Sequence, residues 1–478
     1  MKRYVIVGAG SAGLTLAYYL CKSGLPVTVL ECEKEVGGLA RSFHYDDWHF
    51  DIGPHRFYTA NAQVMNFLQE VQPRDFIEIP RFSSVYFMGH YHAWPLRLST
   101  VFKLPFSVAV RAGIDLIRKA KLGNSDSVSF RDYVLRRYGK TLYETFFRDY
   151  TEKFVGIATQ DTHRNWAKVG VERATIDNTV NTASLLEIFK LMLLPKPAEL
   201  NFWYPLDGGI HTFWQNCAAK IRELGGEIIT GVSPRQIDVT NDTVTRITFG
   251  PSLPASANST PPTGAGDAEQ SVECERLIWS GPITEITSKL NLPATELTYR
   301  SHLVYNIMLN CKPRYDFQWC YYGAKKYVFS RLCNPAAFSE HTVPKGHGGL
   351  CAEVACQLGD DNWNDPERLR KDIIQNLLDV RILESERDID KIAIERVPNA
   401  YPIYHIHYPE WLDQATERLN KFSNLNLLGR TGRFWYNNMD HSIENAFAVA
   451  LELLENSHIS TPAVAKVKEE LRPAEDPT

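Results

Sequence analysis

Gly8, Gly10 and Gly13 lie between an apolar run at residues 4–7 and a second at 26–31 that ends in Glu31. Of all the residues in the chain, their spacing implies chemistry most directly. The run at 4–7 reads as a buried parallel strand. Gly8 allows a tight turn out of it, Gly10 lets the backbone approach a pyrophosphate, and Gly13 lets the next helix pack closely on the sheet. That helix, at 12–22, would aim the free N–H groups around Ser11, Ala12 and Gly13 at phosphate oxygens. Glu31 stands where a carboxylate accepts hydrogen bonds from an adenosine ribose. A ribose carboxylate disfavours a 2′-phosphate, so the pattern points to FAD or NAD rather than NADP.

Gly37-Gly38-Leu39-Ala40-Arg41-Ser42 follows the second strand. The glycine pair would lay another backbone segment against the same cofactor, with Leu39 beside it. Arg41 would bring a fixed positive charge to the phosphates or the ring. This run resembles the GG-x-x-R-S/T segment of the flavoprotein superfamily that includes amine oxidases, protoporphyrinogen oxidases and UDP-galactopyranose mutases. The resemblance implies FAD as the cofactor. In Asp51-Ile52-Gly53-Pro54-His55-Arg56-Phe57, the Gly-Pro bend constrains the backbone of His55 and Arg56. Gly-Pro-His-x-Phe resembles the flavin-facing loop of the mutases, which implies that Gly53, Pro54 and His55 meet the ring and that His55 and Arg56 act there.

Near the other end, Gly429-Arg430-Thr431-Gly432 lies between a strand and a helix and forms another nest of backbone N–H groups. The dipole of the helix that follows favours an anionic reduced ring. The run from Gly429 to Asp440 resembles the G-R-x-x-x-Y-x-Y-x-D-M-D run of the mutases. That implies flavin contact by Gly429, Arg430 and Met439, with Arg430 and Tyr436 facing the substrate. Three more segments look like mutase motifs. Phe146-Phe147-Arg148-Asp149-Tyr150-Thr151-Glu152-Lys153 implies that Phe146 and Tyr150 frame a uracil. Phe329-Ser330-Arg331 implies a phosphate-binding Arg331, and Asn399-Ala400-Tyr401-Pro402 implies Tyr401 at a diphosphate. Gly225 to Val232 resembles the second FAD-contacting segment and implies Val232 at the adenine. Trp94-Pro95-Leu96 and Arg173 are weaker matches. Val155 stands where the mutases carry a tryptophan against the sugar, and Phe434 replaces their first tyrosine. The implied substrate is therefore a different nucleotide sugar, or another phosphorylated or polyhydroxylated small molecule.

These residues need a large scaffold, and 478 residues supply one. The segments interleave into an α/β fold: a Rossmann-like FAD-binding domain, a mixed-sheet substrate domain and a helical subdomain. Residues 1–60, 200–296 and 420–460 would form the FAD-binding domain, 61–199 the helical subdomain and 297–419 the substrate-domain sheet. Residues 251–270, rich in Pro, Ser, Gly and Thr, read as a flexible loop, and 461–478 as a tail that is polar and frayed from Lys466 to Thr478. Residues 185–194 read as an amphipathic helix at a domain edge.

A net charge of −4 gives no sign of nucleic-acid or anionic-membrane binding. No apolar run reaches membrane-spanning length. Nine cysteines without metal-ligand spacing suggest reduced thiols, a cytoplasmic setting and no metal site. The expected function is that of a mutase-like flavoenzyme working through N5 of a reduced flavin. The alternative is an oxidase or dehydrogenase that passes hydride to FAD, and a third reading is a non-catalytic or lipid-binding flavoprotein that keeps its FAD for structure. The flavin pocket suits the first two equally, so fold alone does not choose between them.

Overall fold

The computed structural model describes residues 2–72, 74–94, 105–119, 127–167, 201–252, 269–457 and 459–472. The expected loop at 251–270 falls outside the described residues over 253–268. Arg173, the segment 185–194, Pro95 and Leu96 also fall outside them.

β1 (Arg3–Val7) and β2 (Val27–Glu31) are almost wholly apolar because the sheet they form is covered on both faces. They pair in parallel, and β9 (Glu227–Thr230) extends the sheet beyond β2. On the other side, β1 pairs with the second half of β12 (Gln270–Trp279), and β18 (Leu425–Leu427) adds to that same half. The first half of β12 turns away to pair antiparallel with β11 (Thr243–Pro251), which pairs in turn with β10 (Val232–Thr240). Strands from the start, middle and end of the chain thus share one sheet. The Ser11–Lys22 helix packs on it between the His211–Glu223 and Met439–Glu455 helices.

The second sheet runs in the order β17 (Ile389–Pro402), β13 (Tyr299–Leu309), β16 (Gly348–Cys356), β15 (Arg331–Cys333), β14 (Trp319–Tyr322), β6 (Ser83–Phe87), β7 (His90–Trp94). Every neighbouring pair is antiparallel except β14 with β6. Side chains alternate between its faces. Leu303, Tyr305, Ile307 and Leu309 of β13 join a core with Ile373 and Leu377 of the Arg370–Asp379 helix. His302 and Val304 point the other way. Register places Val304 opposite Glu353, Glu353 opposite Arg331, and Arg331 opposite Tyr321. One face therefore carries a polar stripe.

Two expectations change. The segment 61–199 is not helical throughout, because β5 (Phe76–Ile79), β6 and β7 lie in it and the last two complete the second sheet. The end of the chain is not frayed over its first part. Pro462–Leu471 is a helix, capped by Thr461, and it buries Val464, Val467 and Leu471. The sequence there looks polar overall, but three apolar residues at helical spacing are enough to dock it. Among the described residues, no helix is long and apolar enough to cross a membrane.

Candidate functional site

Two motifs from opposite ends of the chain meet at the top of the first sheet. Gly8 turns out of β1 with φ +101°, and a β-carbon there would sit 2.2 Å from the Ser280 hydroxyl. A β-carbon on Gly13 would sit 2.0 Å from the Gly8 carbonyl oxygen, so only glycine lets helix and strand come this close. Gly10 caps the helix and forms a bridge with Gly37, whose N–H donates to the Ala9 carbonyl at 2.8 Å. A β-carbon on Gly38 would lie 3.0 Å from the Gly10 α-carbon. Leu39 follows in the same short turn, Gly38–Ala40. Gly429 closes the group, since its β-carbon would lie 3.2 Å from that of Ala12. The result is a cradle of bare backbone beside the Ser11 helix N-terminus, and these residues fit a dinucleotide pyrophosphate.

Glu31 ends β2 with its carboxylate buried. It accepts from the N–H of Ala9 at 2.5 Å and of Glu33 at 2.9 Å. Burial raises its pKa against the pull of those two donors. Gly231, beside Val232, donates to the Glu33 carbonyl at 2.8 Å, which brings Val232 to this end of the cradle. Arg41 does not stand free: it pairs with Glu33 at 3.3 Å and donates to the Gly38 carbonyl at 3.3 Å. Met439 opens the Met439–Glu455 helix, buried behind an Asn438 cap.

The loop after β4 (Trp48–Asp51) carries the next group across to the second sheet. Gly53, at φ +78°, sits directly on a buried ion pair: its β-carbon would be 2.8 Å from Oε1 of Glu353 and 2.9 Å from Nη2 of Arg331. Arg331 donates to Glu353 through Nε at 2.5 Å and Nη2 at 2.6 Å, and Nη2 lies 3.4 Å from the Tyr401 hydroxyl. His302 Nδ1 lies 3.6 Å from Oε2 of Glu353, the oxygen that accepts from Arg331 Nη2. Burial works against the Glu353 charge, but Arg331 and His302 outweigh it and hold the carboxyl down to about 2. Arg331, expected as a phosphate ligand, has one edge of its guanidinium taken by Glu353. A buried guanidinium needs a carboxylate, and the sequence reading did not find this one.

His55, past the Pro54 bend, faces this cluster. Burial first, then Arg430, Arg331 and Arg56, push it down to about 3, so the imidazole is neutral. Its Nδ1 has no hydrogen-bond partner among the described residues. Arg56 stacks over Phe202 at 4.9 Å and Trp319 at 5.2 Å and donates to the Pro54 carbonyl at 3.2 Å. Arg430 lies over the rings of Tyr401 at 5.0 Å and Tyr436 at 5.4 Å, while its ends donate to the carbonyls of Ala400 and Asn437.

Tyr150 meets Tyr321 edge to face at 5.7 Å, and Tyr436 stacks on Trp166 at 5.1 Å. Burial pushes the phenols of Tyr150 and Tyr436 up, so both remain donors. Phe146, four residues before Tyr150, packs its ring on Phe87 at 4.4 Å. The structure thus gathers His55, Arg331, Tyr401, Arg430 and Tyr436 tightly, with Arg56 and Tyr150 at the margins. Glu353, His302, Tyr321 and Trp166 complete the group and were missed. The one signal for Glu353 was a lone charge inside the otherwise apolar strand Gly348–Cys356. Among the described residues, no group of three or more His, Cys, Asp or Glu is set to hold a metal ion.

Residues 6–71 match the NAD(P)-binding Rossmann-like domain. An L-amino-acid oxidase of Sistrurus catenatus edwardsii is 44% identical over 69 residues, which span 14% of this chain and 13% of the oxidase. A probable UDP-galactopyranose mutase of Klebsiella pneumoniae is 30% identical over 166 residues, which span 33% of this chain and 41% of the mutase. Among solved structures, reduced UDP-galactopyranose mutase superposes with a TM-score of 0.78 at 21% identity, covering 98% of this chain and 97% of that one. The sequence matches are partial, whereas the likeness of fold extends over nearly the whole chain. This chain has the fold of reduced UDP-galactopyranose mutase, and residues 6–71 form a Rossmann-like dinucleotide-binding segment within it.

Proposed function

We propose that this FAD-dependent enzyme acts on a nucleotide-linked sugar, or on a similar phosphorylated and polyhydroxylated small molecule. The observation that carries the reading is the neutral His55 held against Arg56, Arg331 and Arg430, with protonated tyrosines around it. Four arginines, counting Arg81 over Trp319, share this region with the carboxylates of Glu353 and Asp440. The excess of positive charge, away from bulk water, suits an anionic leaving group.

When bound, FAD supplies a nucleophilic N5 in its reduced form or a hydride acceptor in its oxidised form. The chain supplies the rest. The cradle fixes the dinucleotide. Gly53 and Pro54 hold His55 so that Nδ1 can exchange a hydrogen bond with whatever occupies the cleft. Glu353 keeps Arg331 charged and oriented. The hydroxyls of Tyr150, Tyr401 and Tyr436 donate to phosphate or sugar oxygens. The nine unpaired cysteines suit a reducing, cytoplasmic setting.

A second reading, net oxidation, draws support from the N-terminal likeness to an L-amino-acid oxidase. One experiment separates the two. The FAD-loaded protein is mixed with UDP- and dTDP-hexopyranoses, with and without dithionite. Isomerised sugar only after reduction, with no net redox change, is the expected result. Flavin bleaching by an amine or amino acid alone, with peroxide on re-oxidation, overturns it in favour of the oxidase.

A further inference from the structure

Lys153 is a further partly buried cation in this half of the molecule, and its contacts are backbone carbonyls. Its Nζ lies 2.5 Å from the oxygen of Tyr322, 3.1 Å from Ala324, 3.2 Å from Tyr327 and 3.0 Å from Phe329. An ammonium has three N–H donors, so one is shared between two acceptors. Three of the carbonyls belong to the turn that joins β14 to β15, and the fourth, that of Tyr322, is the last of β14. That turn separates Tyr321 from Arg331, which pair directly across the two strands. Lys153 itself sits on the Arg148–Val155 helix, one turn beyond Tyr150, whose ring meets Tyr321. A single ammonium therefore connects the three elements that present Tyr150, Tyr321 and Arg331.

We propose that Lys153 is a positioning residue that gathers the β14–β15 turn and so holds Tyr321 and Arg331 in place against Tyr150 for binding an anionic substrate. Four carbonyl dipoles aimed at one point repel each other unless a cation stands between them. Burial pushes the ammonium down to about 7, with Asp149 pulling the other way. The carbonyls can only accept, so they favour the charged form. A neutral side chain of similar length would leave several acceptors buried and unpaired, and the turn would open to hydrate them. The neighbouring tie, Lys325 to Glu152 at 2.7 Å, lies at the surface and contributes little by comparison.

The identity of the ligand rests on the proposed function, whereas the clamp does not. The test uses FAD-loaded protein and hydrogen–deuterium exchange over residues 322–331, with UDP as the binding probe. Lys153→Met is expected to retain full FAD and to lose protection on the order of tenfold or more across that turn. Its dissociation constant for UDP should rise on the order of tenfold. Lys153→Arg, which keeps the charge and folds even if the Met variant does not, should restore part of the protection. Glu152→Gln should move neither readout. Unchanged protection in Lys153→Met, or weaker UDP binding without loss of protection, overturns the positioning role. If the wild type binds no UDP, the nucleotide reading falls and the exchange measurement alone still decides the clamp.

Discussion

At the N-terminal cradle, Gly10, Gly13 and Gly38 leave backbone bare so that a large anion can be bound by N–H groups. On the second sheet, Arg331 and Glu353 bury two full charges within one face, beneath Gly53. The first region is built by leaving side chains out. The second is built by side chains that need one another. A fault in the cradle chiefly excludes a ligand. A fault in the buried pair leaves a naked charge in the interior, which affects the fold itself.

The largest expected effect follows from that contrast. Glu353→Gln keeps the shape and removes the charge that Arg331 faces. It should cost roughly 3–5 kcal/mol of unfolding free energy, read from denaturant melts. The wild type should also show an acid limb that the variant lacks. The folded carboxyl sits at about 2 and the ordinary value is 4.5, so the unfolded chain takes up the proton first as pH falls. The stabilisation is therefore complete above about 4.5 and is lost progressively towards 2. A Glu353→Gln protein as stable as the wild type would show that the pair is not a buried keystone.

Gly13→Ala tests the other region. Its methyl carbon would meet the Gly8 carbonyl oxygen at 2.0 Å, and both atoms belong to elements that cannot easily part. The helix would have to lift from the sheet, at a cost of about 2–3 kcal/mol. The sharper readout is FAD content, measured by absorbance after purification. It should fall far below one per chain, whereas Glu353→Gln protein that remains folded should keep its flavin. Equal flavin loss in both variants would erase the distinction between the regions.

The same contrast explains what could be read from the sequence. The cradle is local: strand, glycines, helix and acid follow one another along the chain, and each glycine stands where the backbone requires it. The strands β1 and β2 and the Ser11–Lys22 helix were legible for that reason. The polar face of the second sheet is not local. His302, Arg331 and Glu353 come from three strands, and nothing in the spacing of 302, 331 and 353 announces that register will align them. Arg331 was found through resemblance, but its partner Glu353 was not. β6 and β7 were missed too: they pair with each other across a tight turn, but only β6 joins them to the sheet, through β14 more than 200 residues further along the chain. The terminal Pro462–Leu471 helix was misread because the chain from Lys466 onward is mostly charged, while the docking of the helix depends on Val464, Val467 and Leu471.

The smallest expected effect comes from a second arginine–glutamate pair, Arg41 with Glu33 at the rim of the cradle. In chemistry it matches Arg331 with Glu353, and even the separation is comparable, 3.3 Å against 2.5 Å. The difference lies in solvent. The Glu33 side chain is 33% exposed and that of Glu353 only 2%. The two arginines are shielded alike, 12% and 10% exposed, but Arg41 keeps the Gly38 carbonyl and water reaches its partner's site, so Glu33→Gln should cost about 1 kcal/mol in the same denaturant melts. Salt should reduce even that difference, because the pair lies within reach of mobile ions. Freed from Glu33, Arg41 gains reach toward a bound pyrophosphate, so FAD should be held as tightly as in the wild type or slightly more so, as measured by fluorescence titration of the apoprotein. If Glu33→Gln instead destabilised the chain as much as Glu353→Gln, burial would not be what separates the two regions. The rim of the cradle would then be as dependent on side-chain pairing as the sheet face.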